Sequence, residues 1–198
     1  MPAMMTRDPG DAARCIAAGY LAVIPTETVY GLGALANDEH AVSRVFATKG
    51  RPIDHPLIAH ILDAQAAERW AYAIPEYAHP LMDAFWPGPL TLVCARNNRA
   101  ADFITGGQDT VALRVPGSPV AREVLAIVSE ITNDASVAIA APSANRFGGV
   151  SPTTAQHAIE EIGDLLTDDD VVLDAGPCAI GIESTIVDCT ADRPRILR

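Results

Sequence analysis

The densest run of chemistry-bearing side chains is TKGRPIDHP at residues 48–56, where Lys49, Arg51 and His55 fall within seven residues of a proline-punctuated loop. Cations of two shapes suit a polyphosphate, because lysine supplies a point charge and arginine a planar fork for non-bridging oxygens. Lys49 is the only lysine among 14 cationic side chains. A position that keeps a compact, rotatable ammonium in a chain otherwise built with arginine points to a need for that group. The competing reading is a solvated basic turn. No G-x-x-x-x-G-K-[ST] occurs, so a P-loop is excluded.

Two strand-like strings supply the next candidates. In TVALR, the period of two turns Thr110, Ala112 and Arg114 to one face and Val111 and Leu113 to the other. Arg114 therefore stands outside the apolar layer and calls for a carboxylate, from the protein or from a ligand. One charge-assisted pair is worth about 1.5–3 kcal/mol, enough to select a carboxylate-bearing ligand. In LIAHIL, His60 shares a face with Ile58 and Leu62. It is either a buried, hydrogen-bonded structural imidazole or, if the strand lies under a site, a ligand contact.

Three loops complete the set. PTETVYGLGA, residues 25–34, collects hydroxyls, a carboxylate, a phenol and two glycines after an apolar strand, and reads as a site loop with its glycines at positive φ. Gly31, Gly33 and Ala36 match the dinucleotide spacing, but no helix begins at the glycines, which argues against that fold. APSANRFGGVSPT places Ser143, Asn145 and Ser151 around glycines, suited to a base, ribose or phosphate or simply to a polar connection. G-x-S-x-G is absent, against a serine hydrolase. GIESTIVD turns Ser184 with Ile186 and Asp188 to one face, and RILR carries Arg195 and Arg198, either folding back on an anion or fraying.

The elements that must position these groups alternate. Strands are expected at 21–25, 57–62, 90–95, 110–115, 137–142, 171–176, 184–189 and 195–198, and helices follow Asp8, Asp38 and Thr153 as caps and cover 64–70, 76–85 and 120–128. These stretches, alternating early and strand-rich late, predict an α/β fold with an open twisted mixed sheet of about seven strands flanked by helices. Segments 96–109 and 145–153 read as flexible loops.

Composition sets the bounds. The 198 residues are 49% hydrophobic and 20% charged, which fits one globular unit and excludes wholesale disorder. The opening MPAMMTRDPG lacks the apolar core of a secretory signal, and no 18-residue apolar run follows, so a cytoplasmic protein without membrane contact is expected. Cys15, Cys94, Cys178 and Cys189 are scattered without a C-x-x-C pair, which argues for structural thiols and against a zinc site. The net charge is −11, with ten acids and no Lys or Arg in residues 147–192, which disfavours a mainly electrostatic hold on nucleic acid.

Taken in order, PTETVYGLG, KGRPIDHPLIAH, WPGPLT, DTVALRVP, APSAN, VSPT, ESTIVD and ILR resemble the YrdC-domain family of threonylcarbamoyl-AMP synthases, from about residue 20 to residue 198. The resemblance implies a YrdC-like mixed sheet with a concave cavity. It implies condensation of L-threonine, bicarbonate and ATP, with Mg²⁺, into threonylcarbamoyl-adenylate and pyrophosphate. A downstream transferase complex would then modify the tRNA adenosine next to the anticodon, so tRNA is met indirectly. On the matching positions it implies threonine contacts from Thr28, His60, Arg114, Ser184 and the Ala141 backbone. ATP contacts would come from Lys49, Arg51, His55, Thr110, Ser143, Asn145, Ser151 and Arg198, with Lys49 and Arg51 as the catalytic cations and no protein-held metal. Similar sequences commonly continue past this point, whereas residues 1–198 are expected to form a single catalytic domain. The alternative is a non-catalytic RNA-binding or ribosome-assembly module of the same type.

Overall fold

The computed structural model describes residues 3–198; the first two residues of the MPAMMTRDPG stretch lie outside the described residues. In chain order the elements are β1 (Met4–Thr6), α1 (Pro9–Ala17), β2 (Ala22–Pro25), β3 (Tyr30–Leu35), α2 (Glu39–Lys49), β4 (Ile58–Ile61), α3 (Ala64–Ala67) and α4 (Ala78–Phe85). These are followed by β5 (Leu90–Ala95), α5 (Asp102–Thr105), β6 (Thr110–Arg114), α6 (Pro119–Thr132), β7 (Ala138–Ala140), α7 (Ala155–Ile162), a short 3-10 turn (Gly163–Leu165), β8 (Val171–Leu173), β9 (Thr185–Asp188) and β10 (Arg195–Ile196). Helix starts follow side-chain chemistry: Asp8, Asp38, Asp63 and Ser118 each accept a first-turn backbone N–H. The cap of α7 is Thr154, one residue after the expected Thr153, and its hydroxyl accepts from the His157 N–H at 3.2 Å.

All the strands form one open sheet in the order β1-β8-β2-β3-β7-β4-β6-β5-β9-β10. The pairs β1–β8, β2–β8, β4–β6 and β5–β9 are parallel and the others antiparallel, which is the expected mixed α/β architecture. The described residues hold ten strands and seven α-helices, against about seven strands expected. One correction concerns β3, because much of the expected PTETVYGLGA loop is strand. Gly31 and Gly33 do not need positive φ. A Cβ at Gly31 would meet the Ala141 Cβ at 3.2 Å, and one at Gly33 would meet Ile139 Cγ2 at 3.0 Å, so the glycines let β3 approach its neighbour closely.

The two sheet faces are covered unequally. On one face α2, α3, α4, α5 and α7 bury the larger core with Leu32, Ala59, Leu92 and Leu113. On the other, α1 and α6 pack together over one part of the sheet, with Ala22, Ile24, Ile139, Val171 and Leu173. That second face is therefore open over β4, β6, β5 and β9, and the concave site lies there. No helix of the described residues is long and apolar enough to cross a membrane. The four cysteines are free, with Cys15, Cys94 and Cys189 buried.

Candidate functional site

The site begins with register. In the parallel pair β4–β6, His60 lies opposite Arg114 and Ile58 opposite Ala112, which sets imidazole and guanidinium side by side on the half-open face. Ile186 reaches the same face through its pairing with Thr91. Around them a cavity of about 170 Å³ is lined by Arg51, His60, Arg114, Ala141, Ser143 and Arg198, with Thr26, Ile186 and Glu183.

Arg114 is held along one edge. Its Nε donates to the Gly88 carbonyl at 3.2 Å, and its Nη2 donates to Thr28 Oγ1 at 3.1 Å and to Glu27 Oε1 at 2.5 Å. The WPGP turn thus supplies one acceptor and the β2–β3 turn two. Nη1 takes part in none of these bonds and is the donor left for a ligand. Glu27 also accepts the Ser118 backbone N–H at 3.1 Å, which ties the pair to the start of α6. Burial raises the Glu27 pKa, but the charge and hydrogen bond of Arg114 outweigh that and leave it below the usual carboxylate range.

His60 is buried, and its Nδ1 has no partner in the protein. Burial first, and the Arg114 charge second, push its pKa down to about 3, so the ring is neutral and offers one acceptor to a ligand N–H or O–H. Of the alternatives raised by the sequence, the hydrogen-bonded structural imidazole is met only in its burial, since Nδ1 lacks a partner, and the residue also lines the cavity.

Lys49 ends α2, and Gly50 turns the chain there with φ of 61°. The buried ammonium donates to the Ser143 carbonyl at 2.5 Å and to the Asn145 carbonyl, so it braces the APSAN loop from beneath. Burial, with the Arg51 charge adding, lowers its pKa to about 8. Arg51 lines the cavity, donating from Nη2 to the Pro56 carbonyl at 2.9 Å with its guanidinium 5.9 Å from the Phe147 ring centroid.

The remaining expected residues divide. Ser184 is buried behind the wall, 2.9 Å from Thr91 Oγ1, and accepts from Arg198 Nη2 at 3.3 Å. Asn145 is buried with Oδ1 unpartnered. Ser151 donates its hydroxyl proton to Glu183. His55 and Thr110 do not join the wall. His55 packs edge-on against Phe147 at 5.2 Å, and Thr110 lies four residues along β6 from Arg114, about 13 Å at strand rise. Arg198 folds back, as one alternative expected: its Nε donates to the Ser184 carbonyl at 3.0 Å, and Nη2 lies 3.4 Å from Glu183 Oε2.

Sequence reasoning missed Glu27, Glu183 and Phe147. Glu27 stood in view as the carboxylate of PTETVYGLG, and the demand of Arg114 for a carboxylate was its signal. Nothing local marks Glu183 or Phe147, because their neighbours come from distant segments. The 145–153 loop, expected to be flexible, is tied down by Lys49 and by the Arg146–Asp164 ion pair at 2.8 Å.

Fold and site together define a class: an α/β protein with a half-covered mixed sheet and a polar cavity lined by arginines from separate segments. The chain belongs to the Sua5/YciO/YrdC family, described as telomere recombination, whose model matches residues 14–198. It is 46% identical over 187 residues to the threonylcarbamoyl-AMP synthase of Pyrococcus abyssi, covering 94% of this chain and 52% of that one. It is 40% identical to that of Bacillus subtilis, covering 98% and 54%. The chain therefore spans about half the length of both synthases. Among solved structures, P. abyssi Sua5 complexed with L-threonine superposes with a TM-score of 0.88 at 43% identity, covering 98% of this chain and 56% of that one.

Proposed function

We propose that this chain is a threonylcarbamoyl-AMP synthase, which condenses L-threonine, bicarbonate and ATP into threonylcarbamoyl-adenylate and pyrophosphate. The observation that carries the reading is the His60–Arg114 neighbour pair: a free guanidinium edge for a carboxylate beside a neutral acceptor for an N–H or O–H, in a cavity sized for an amino acid. The similarity to two proteins named as threonylcarbamoyl-AMP synthases supports it.

Arg114, with Thr28 and Ser184 behind it, would orient threonine. Its amine takes up carbon dioxide from bicarbonate to give a carbamate and water. A carbamate oxygen then attacks the α-phosphorus of ATP, forming the P–O bond as the bond to pyrophosphate breaks. The protein's work is to position two anions and spread the charge that develops on phosphate oxygens, the task of Arg51, Arg198 and the Lys49-braced Ser143 loop. Mg²⁺ would neutralise triphosphate charge. Among the described residues no three His, Cys, Asp or Glu side chains cluster as a metal site, and Glu183 is the one carboxylate lining the cavity, so the ion would be held with phosphate oxygens.

The product is a mixed carbamic–phosphoric anhydride, which an acyl-transfer step onto tRNA must consume; we place that pathway in the cytoplasm and take the chain as one catalytic domain. The test is pyrophosphate release with ATP, Mg²⁺, bicarbonate and single amino acids. Release that requires both threonine and bicarbonate supports the reading. Equal release with alanine, or release without bicarbonate, overturns it, and salt-sensitive RNA binding without turnover would favour the RNA-binding module instead.

A further inference from the structure

Glu183 is a carboxylate placed among cations. It lines the cavity with Arg51 and Arg198, accepts the Ser151 hydroxyl proton, lies 3.4 Å from Arg198 Nη2 and stands within Coulombic reach of Lys49. Of these, Arg51 and Arg198 are the cations that the proposed function gives to the phosphates, and Lys49 braces the loop that joins them there. A carboxylate and a phosphate edge offer the same pair of anionic oxygens to a guanidinium and a hydroxyl.

We propose that Glu183 is a specificity-determining residue: its carboxylate occupies the phosphate subsite between turnovers, so that each anionic ligand must displace it, and it selects among ligands by their charge.

The inference rests on the nucleotide reading of this cavity. Two further observations favour exchange over permanent occupancy. The Glu183 and Arg198 side chains are 39% and 44% exposed, and a pair so hydrated is held weakly and exchanges without a large penalty. The cavity, at about 170 Å³, is also below the roughly 300–1,000 Å³ usual for cofactor-sized ligands, so a nucleotide must displace part of its wall, to which the half-exposed Glu183 belongs. In the reaction, the carboxylate would return to Ser151 and Arg198 as pyrophosphate leaves, which lowers the affinity for that product. A polyanion such as pyrophosphate meets more repulsion than the adenylate, so the charge on Glu183 biases the cycle toward release.

The experiment is calorimetric titration of the intact chain and of Glu183→Gln with ATP, pyrophosphate, AMP and L-threonine at fixed ionic strength. Glu160→Gln, an exposed acid on α7 outside the cavity wall, serves as the control for net charge. The inference predicts that Glu183→Gln binds ATP and pyrophosphate roughly tenfold more tightly, the scale of one like-charge neighbour removed in a half-exposed site. AMP should tighten by less than about threefold and threonine by nothing measurable. A parent chain that binds ATP, with Glu183→Gln binding it equally or more weakly, overturns this inference alone. Equal tightening in Glu160→Gln also overturns it, because net charge then accounts for the gain. Absence of ATP and pyrophosphate binding in both parent and variant overturns the nucleotide reading together with the inference.

Discussion

Two arginine–carboxylate pairs contribute an arginine each to the same cavity and differ in nearly every physical respect. Arg114 and Glu27 meet at 2.5 Å with side chains only 4% and 11% exposed, and each has further partners: Gly88 and Thr28 for the arginine, the Ser118 N–H for the carboxylate. Arg198 and Glu183 lie 3.4 Å apart and are well hydrated. A buried charge left without its partner is expensive, whereas an exposed pair contributes little. The inner pair is thus a fixed part of the fold that presents one free guanidinium edge. The outer pair is a hydrated contact held weakly. On the proposed function and the inference drawn from it, the charge that orients the ligand and the charge that yields to it would be separated by burial.

The contrast can be tested most forcefully at Glu27. Glu27→Ala should lower unfolding free energy by about 3–5 kcal/mol, the cost of leaving a buried guanidinium uncompensated, and should abolish threonine binding; urea denaturation and titration read both. A loss as small as that of Glu183→Ala, which should stay within about 0.5 kcal/mol, would remove the distinction.

Next in size is Lys49→Ala, which should lower pyrophosphate release by roughly 10²–10³. Because Lys49 braces the Ser143 and Asn145 carbonyls, much of this loss should appear in nucleotide affinity. Near-normal turnover would take Lys49 out of the reaction.

A smaller, pH-dependent effect follows from the same ammonium. With its pKa lowered to about 8 from 10.5, the folded chain releases this proton before the unfolded chain does. Its charged form therefore costs stability below about pH 8, and that cost fades as pH rises from about 8 to 10.5. Nucleotide binding should move the other way, weakening as pH rises through about 8, and Lys49→Arg should remove that limb. Parallel unfolding and binding profiles check the opposed signs. The smallest effect is expected at Arg198→Ala, with stability changed by less than about 0.5 kcal/mol while ATP affinity falls. A larger loss of stability would place the outer pair with the inner one.

Much of this arrangement was legible beforehand, and the reasons differ by element. The alternation in TVALR and LIAHIL set Arg114 with Ala112 and His60 with Ile58 on one strand face because a strand's period is local, and only the register of β4 with β6 showed that the two faces are one. Asp8 and Asp38 marked helix starts because capping is also local. The β3 strand was hidden, since its glycines read as turn formers; their purpose, close approach to Ala141 and Ile139, depends on a segment more than a hundred residues away. His55 was placed with the phosphate contacts by proximity in sequence, yet its ring turned to Phe147 from a distant loop.

What the sequence by itself determined is whatever rests on spacing within one element: the strand faces, the capped helices, the mixed α/β class, and the motif order that marks the family. Which carboxylate satisfies Arg114, that Lys49 spends its donors on two backbone carbonyls, and that Glu183 stands in a ring of cations were decided only by tertiary structure. Those contacts join segments far apart along the chain, and their electrostatics depend on how much water remains around each charge once the sheet and its unequal helix layers have closed.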